Sequence, residues 1–257
     1  MKLLAICLTV LAELAMGSAM FVAWQDTRKI RKSFFEFNAA ICVLIFLALS
    51  LWQAPLFSPF LISLFLACAS LWHFRREHFF RGRMLLKGAG LWGITFGLSA
   101  LASSSGFLKN IPPDVAWLFV VQLAGGSLLL GGVNGAMILG HWYLLMRNLD
   151  FIHLRRASIV VAALVAGRAL LLAATLILLN RLDPLFAHSF ISPLLDPNQN
   201  LFFFSMRIFW GLLLPGGLAW MIWRCARSGS NQSATGLLYL AEVSVLIGET
   251  MAVYLKI

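Results

Sequence analysis

Hydrophobic residues fall into eight long runs that short polar stretches separate. Most runs approach or exceed the ~20 residues that an α-helix needs to cross a hydrocarbon core of roughly 30 Å. They do not alternate between apolar and polar positions, as membrane-spanning β-strands do. The pattern predicts an all-α polytopic membrane protein with eight transmembrane helices, at about residues 3–24, 34–53, 57–74, 86–107, 115–147, 157–180, 200–224 and 234–255.

The first run superficially resembles a secretory signal peptide, with Lys2 ahead of an apolar stretch and small residues behind it. Glu13 interrupts that stretch, however, and the run continues to Trp24 before a basic segment begins. A signal peptide has a shorter apolar core that ends at its cleavage site. We therefore expect the first run to be retained as a transmembrane helix.

The charge pattern predicts the orientation of these helices. Charged residues make up 12 % of the chain, the formal net charge is +10, and the basic residues concentrate after the first, third, fifth and seventh runs. The other three loops carry only Lys109 and Arg181. Because Lys and Arg concentrate in cytoplasmic loops, both termini are predicted outside, on the periplasmic side of a bacterial inner membrane. The same distribution argues against a nucleic-acid partner.

A short pattern occurs twice along the chain, as GSAMFVAW at 17–24 and GAMILGHW at 135–142. In each copy a Gly precedes a Trp by the same interval. Within a single integral membrane domain, this predicts two four-helix halves in parallel orientation, at 1–110 and 111–257. The second half begins with the run at 115–147, whose many glycines are typical of close helix packing.

Ionisable residues inside the runs are the first candidates for chemistry, because burying them in a bilayer is costly. Glu13 and Arg168 fall near the middle of their runs, and Glu242 and Glu249 share one face of the last helix. Arg207 lies near the outer end of its run, within reach of Glu249. These residues either pair to hold the bundle together or line a pocket for a quinone headgroup or a proton path.

His141 lies near the inner end of its run and precedes Trp142 and Tyr143. One interpretation is an interfacial aromatic belt. The other is a b-type haem with His141 and His73 as axial ligands, which requires their two helices to be neighbours. No cluster of His, Asp or Glu has the spacing of a metal site. The four cysteines form no CxxC or CxxCH motif for c-type haem or an iron–sulfur cluster.

Two segments near the end of the chain, IFWGLLLPGGLAW at 208–220 and VLIGETMAVY at 245–254, carry a family resemblance. They resemble the last two helices of the NrfD-like membrane subunits of polysulfide and DMSO reductase-type complexes. GGSLLLGG at 125–132 is similar to the start of that family's second half. Eight helices with external termini, in two four-helix halves, also fit its smaller members.

The resemblance implies a menaquinol- or ubiquinol-handling anchor that docks an iron–sulfur or haem subunit on its outer face. By position, Arg207 and Glu249 are the candidates for an outer quinone pocket, with Gln122 as a possible third contact. Glu242 and His141 complete the set of candidate cofactor-binding residues.

The sequence leaves three functions open. The first is the membrane anchor of a respiratory electron-transfer complex, which predicts an elongated cavity near Arg207 and Glu249. The second is a structural or assembly subunit, in which the buried charges are all paired internally. The third is a small-solute or ion transporter, for which only Pro215-Gly216-Gly217 offers a helix break at mid-membrane.

Overall fold

The computed structural model describes residues 3–25, 30–52, 58–145 and 152–257 and is all-helical over these ranges. The described residues form nine helices: α1 (Leu3–Trp24), α2 (Lys32–Trp52), α3 (Pro59–Arg75), α4 (Phe79–Ser104), α5 (Pro113–Leu145), α6 (Ile152–Leu182), α7 (Pro184–Leu195), α8 (Leu201–Arg227) and α9 (Asn231–Leu255). Seven of these are long and apolar enough to cross a membrane. The all-α membrane fold is therefore confirmed, with α3 and α7 as shorter apolar helices.

Helix α7 lies in the segment at 180–199, which the hydrophobic pattern leaves as the longest loop, between the predicted helices at 157–180 and 200–224, and it corrects that prediction. Asp183 caps its first turn, because Asp183 Oδ1 accepts a hydrogen bond of 3.0 Å from the Phe186 amide, and Pro184 occupies the first helical position. Both are common helix-start signals. Phe186 and Phe190 pack against Phe119 of α5, with ring centroids 6.4 and 5.3 Å apart. The segment is therefore a short helix that packs against the bundle.

Two helices begin earlier than the apolar pattern predicts. Helix α4 begins at Phe79, and its first turns contain Arg81 and Arg83; α6 begins at Ile152 and contains Arg155 and Arg156. Lys and Arg are good helix formers, so a basic stretch ends the hydrophobic span without ending the helix. Residues 53–57, where the sequence predicts a tight turn after the second helix, and the basic residues Arg28, Lys29 and Arg147 lie outside the described residues.

The helices pack in two rings. In one, α1, α2, α3 and α4 each contact the next helix, and α4 returns to α1; in the other, α5, α6, α8 and α9 do the same. Helices α1 and α5 join the rings and run parallel, since Gly17 lies against Gly131 and Phe21 lies against Gly135. The division of the chain into two repeated halves, at 1–110 and 111–257, stays a prediction.

Glycines allow α1 and α5 to approach closely. A Cβ added to Gly17 would collide with the carbonyl oxygen of Ser127, and one added to Gly131 would collide with the backbone of Gly17. Beside this crossing, Asn134 Nδ2 donates a hydrogen bond of 2.9 Å to Ser18 Oγ. Small residues and a buried polar bond are the usual means of holding membrane helices together. The packing role predicted for the run at 115–147 agrees with these contacts.

Two spans contain a π-helical turn, at Gly93–Gly97 in α4 and at Phe209–Leu213 in α8. Helix α8 continues through Pro215 to Arg227 without a break, so Pro215-Gly216-Gly217 does not divide it into half-helices. The π turn of α8 includes Gly211, which lies against Gly248 of α9 so closely that a Cβ on either would collide with or crowd the other. Such turns are frequent at functional sites.

We call the end of the bundle that carries Lys32, Arg75, Arg83, Arg155 and Arg227 the basic end. Trp72, Trp220 and Trp223 lie at this end, and the guanidinium groups of Arg76, Arg224 and Arg227 stack over them at 5.2 to 5.4 Å from the ring centroids. Tryptophan with arginine is typical of the boundary between hydrocarbon and headgroups. These pairs mark where the basic end leaves the bilayer.

Candidate functional site

Five helices converge on a buried cluster of charges, which we call the ion cluster: Glu13 of α1, Gln122 of α5, Arg168 of α6, Arg207 of α8 and Glu249 of α9. The exposed fraction of each residue is 2 % or less. Arg207 follows the start of α8 by six residues, and Glu249 precedes the end of α9 by six, which places them about 9 Å inside those helix ends. The cluster lies towards the end opposite the basic end, within the span of the helices.

Arg168 is the most completely paired member of the ion cluster. Its Nε and Nη2 donate hydrogen bonds of 3.1 and 2.9 Å to the two oxygens of Glu249. Its Nη1 contacts Gln122 Oε1, and Nη2 also lies 3.3 Å from the carbonyl oxygen of Ile257. A two-point guanidinium–carboxylate pair fixes both groups in one plane. Arg168 therefore ties α5, α6 and α9 together.

Gln122 has a second set of contacts that fixes its orientation. Its Nε2 donates a hydrogen bond of 2.7 Å to Thr175 Oγ1 and another of 3.2 Å to the carbonyl oxygen of Leu171. With the amide nitrogen used in this way, the amide oxygen faces Arg168. Gln122 thus serves as a neutral acceptor for the arginine.

Arg207 lies on the other side of Glu249. Its Nη2 is 3.2 Å from Glu249 Oε1, so the contact predicted between these two residues is present. The contact is an ion pair without hydrogen-bond alignment, and no guanidinium nitrogen of Arg207 has a hydrogen-bond partner among the described residues. Gly211 makes room for the group, since a Cβ there would collide with Nη1. Arg207 is fully buried with unused donors.

Glu13 brings a second carboxylate to the cluster. A Cβ on Gly126 would lie 2.8 Å from Glu13 Oε1 and 2.8 Å from Glu249 Oε2, so both carboxylates lie over this one glycine. Within the described ranges neither oxygen of Glu13 has a hydrogen-bond partner. Buried polar groups are nearly always paired, so the Glu13 carboxyl is a position where a water, an ion or a ligand group would complete the hydrogen bonding.

The cluster contains two basic and two acidic side chains, but their contacts are shared unevenly. Acids and bases that lie together in this way are the usual arrangement of ionisable residues in a membrane interior. Glu249 takes most of the pairing, while Arg207 keeps unused donors and Glu13 keeps unused acceptors. The donors of Arg207 and the acceptors of Glu13 therefore differ from the other polar groups of the cluster in lacking aligned hydrogen bonds within the described residues.

Three of the five predicted site residues meet here: Arg207, Glu249 and Gln122. Glu242 shares a face of α9 with Glu249 but lies outside the cluster, half-buried, and its Oε2 has no hydrogen-bond partner among the described residues. His141 lies near the basic end, where its Nδ1 is 3.0 Å from the Tyr239 hydroxyl. The predicted set therefore separates into one site and two unrelated residues.

The condition for a haem between His141 and His73 is neighbouring helices. The main packing partners of α3 are α2 and α4, whereas α5 packs against α1, α6 and α9. The His73 ring instead faces Trp72 and His78, with centroids 4.8 and 5.8 Å away. These contacts offer no support for a haem held by the two histidines.

Sequence reasoning identified Glu13 and Arg168 as buried charges but did not place them in the site. Their partners are distant along the chain, since Arg168 and Glu249 are 81 residues apart. No periodicity within one helix reports which of its charges meet those of another helix. Thr175 gave a usable signal, because it lies seven residues after Arg168 and therefore on the same helical face.

The chain was compared with known protein families, curated proteins and solved structures. No family model matches the chain, no curated protein matches it, and no solved structure matches it.

Proposed function

We propose that this chain is the membrane subunit of a respiratory electron-transfer complex and that it handles a quinone or quinol at the ion cluster. The observation that carries the proposal is that two groups of the cluster complement each other. Arg207 contacts Glu249 through Nη2 alone and keeps donors on Nε and Nη1, and neither oxygen of Glu13 accepts a hydrogen bond from the described residues. A quinone carbonyl accepts hydrogen bonds, and a quinol hydroxyl donates them. A headgroup at this point would meet both needs.

The chemistry assigns a separate task to each charged residue. A quinol that becomes a quinone releases two protons and two electrons. Glu13 would accept the two protons one after the other from the quinol hydroxyls and release each to water on the outer side, and Arg207 would donate to the oxygen and stabilise the negative charge that develops on it. Arg168 and Gln122 would hold Glu249 in place beside them. The electrons would pass to an iron–sulfur or haem protein docked on the outer face, since the proposal gives the chain no redox group of its own.

The proposal includes a topology. Helix α3 has 17 residues, about 25 Å of helix, and we propose it as the eighth span, with a locally thinned bilayer. The two rings of helices would then be the two halves predicted from the repeat. With Lys and Arg concentrated at the basic end, both termini and α7 would lie outside a bacterial inner membrane. The ion cluster would then lie in the outer half of the bilayer.

The test uses the substitution Glu13→Gln, with Glu36→Gln as its matched control. Glu36 lies on α2, where it is partly exposed and 3.9 Å from Lys32. Because Glu13 has no hydrogen-bond partner, Glu13→Gln should keep the yield and melting temperature of the complex. It should also lower quinol-dependent turnover at least tenfold, whereas Glu36→Gln should change neither. The measurement is turnover with a short-chain quinol after co-purification of the partners in mild detergent.

Two results would overturn the proposal. One is a purified complex that contains neither extractable quinone nor a redox partner. The other is full turnover in the Glu13→Gln complex at unchanged yield, which would leave the unpaired carboxylate without a task.

The second candidate function is a structural or assembly subunit. The pairing of Arg168 with Glu249, Gln122 and Ile257 favours it, because these bonds join three helices and use four of that arginine's five N–H donors. In this case Glu13→Gln and Glu249→Gln would reduce the yield of the complex without altering the turnover of what remains. The transporter hypothesis lacks comparable support, since α8 is continuous through Pro215.

A further inference from the structure

A groove of about 350 Å³ opens at the basic end and reaches to within about one helical turn of the ion cluster, since its lining residues Gly17 and Leu164 each lie four residues from a cluster residue. Residues from four helices line it: the inner half of α1, the first turns of α4, the middle of α5 and the first half of α6. Gly17 and Gly132 lack side chains at its back, and Met20, Leu128 and Leu164 provide apolar walls. The groove therefore has the shape and lining for a hydrocarbon chain.

Two cations belong to the lining of this groove. Lys87 lies eight residues after the start of α4, about 12 Å along the helix, and its side chain is exposed. Arg83 lies one turn nearer the start, where its Nε donates a hydrogen bond of 2.8 Å to the carbonyl oxygen of Ala23. That carbonyl belongs to the last turn of α1, where carbonyl oxygens have no amide partner within the helix. The bond fixes the arginine at the mouth of the groove.

Within the described ranges, no carboxylate neutralises the charges of Arg83 and Lys87. Over the described part of the chain, neither side chain has a carboxylate within 4.0 Å. A lysine within the span of a membrane helix extends its ammonium towards the headgroups while its stem lies along apolar surface. Trp24, at the mouth, is 58 % exposed, as is usual for a tryptophan at the boundary of the bilayer.

We propose that this groove binds an anionic glycerophospholipid from the leaflet at the basic end. The phosphate would lie between Arg83 and Lys87, and an acyl chain would follow the apolar wall towards Leu164. Basic pockets between membrane helices bind anionic headgroups in this way. The inference does not depend on the function proposed for the ion cluster, since the two sites share no residue.

The experiment measures lipid retention by the full chain, purified in mild detergent and mixed with phosphatidylglycerol or phosphatidylcholine, using native mass spectrometry. The wild-type protein should retain phosphatidylglycerol in preference to phosphatidylcholine. Each basic residue near an anionic headgroup contributes a factor of about five in affinity. The double variant R83Q/K87Q should therefore bind phosphatidylglycerol about 25-fold more weakly.

The matched control is R75Q/R81Q, which removes two charges at the same end and outside the groove lining. It should change phosphatidylglycerol binding less than twofold. Equal loss in both double variants would show diffuse attraction and overturn the groove as the site. Equal retention of the two lipids by the wild type would also overturn the proposal.

Arg83 also caps α1, so two variants separate binding from folding. Lys87→Gln leaves the cap in place and should weaken binding about fivefold. Met84→Trp keeps both charges and adds bulk at a lining position that is 50 % exposed, so it should block the acyl chain and weaken binding at unchanged melting temperature. Glycerol phosphate without acyl chains should fail to displace the lipid. Its competition at matched concentration would contradict a lipid site.

Discussion

Glu249 is the residue on which the buried charges of this protein depend. It contacts Arg168 through both oxygens and Arg207 through one, at 2.9 to 3.2 Å. Both arginines are fully or almost fully buried, so neither can turn to water when its partner is lost. Removing one member of a buried ion pair is far more costly than removing both, because an uncompensated charge remains.

Glu249→Gln should therefore destabilise the protein by about 3 kcal/mol, because both guanidinium groups lose the carboxylate that contacts them directly. The measurement is the melting temperature in detergent, followed by tryptophan fluorescence. Glu36→Gln, which loses only a surface pair at 3.9 Å, should melt with the wild type. If the two variants melted alike, the ion cluster would not be the source of stability that its contacts indicate.

At the same scale, the site was partly predictable from the sequence. Arg207 and Glu249 could be matched because each lies the same distance inside the outer end of its helix. Arg168 lies deeper along a 31-residue helix, and its partner could not be inferred from position alone. Glu242 has the same residue type and helix face as Glu249. It lies one and a half to two turns nearer the basic end of α9, however, and therefore away from the arginines of α6 and α8.

Among the helices, the crossing of α1 and α5 is the closest contact between the two rings. Gly17 and Gly131 form this crossing, and each backbone occupies the space that a side chain on the other glycine would need. By contrast, Gly167 on α6 has no atom within 4 Å of the position that a Cβ would take. The two positions differ in packing while both lie in helix interiors, which makes them a matched pair.

Gly17→Ala should lower the free energy of unfolding by about 2 kcal/mol, because the added methyl group forces the two backbones apart. Gly167→Ala should raise it by up to about 1 kcal/mol, since alanine is the better helix former and the space is open. Denaturation in detergent with increasing sodium dodecyl sulfate measures both. A Gly17→Ala protein as stable as Gly167→Ala would mean that the crossing is looser than the structure has it.

The helices themselves were the best-predicted part of the fold, because a bilayer imposes a length that the sequence must show. Their ends were predicted less well, since the end of a hydrophobic span and the end of a helix are separate events. For this reason two helices begin before their predicted first residues, and they include Arg81, Arg83, Arg155 and Arg156. Helix α7 was missed because its 12 residues are too few to span a membrane and include Pro193.

For the molecule as a whole, the charge pattern predicts the side of the membrane on which each end lies. Ser228 lies between α8 and α9 at the basic end, and Asn198 lies between α7 and α8 at the opposite end; both are exposed. The proposed orientation places Ser228 in the cytoplasm and Asn198 outside. These two positions report orientation independently of the termini.

In a variant whose four cysteines are replaced, Asn198→Cys should react with a membrane-impermeant maleimide in intact spheroplasts. Ser228→Cys should react only after lysis, because the bilayer separates it from the reagent. Labelling is read from the mass of the purified protein. The opposite pattern would invert the molecule and move the ion cluster into the inner half of the bilayer.

The ion cluster also brings together residues that are synthesised at very different times. Glu13 enters the bilayer with the first helix, but Arg168 follows it by 155 residues, and Arg207 and Glu249 come later still. At roughly 5–20 residues per second, the first helix waits about 10 to 30 s for a cationic partner. Until then α1 is a membrane helix with a carboxyl group and no basic residue beside it. A nascent chain interrupted before α6 therefore exposes an acidic group within the span of its first helix.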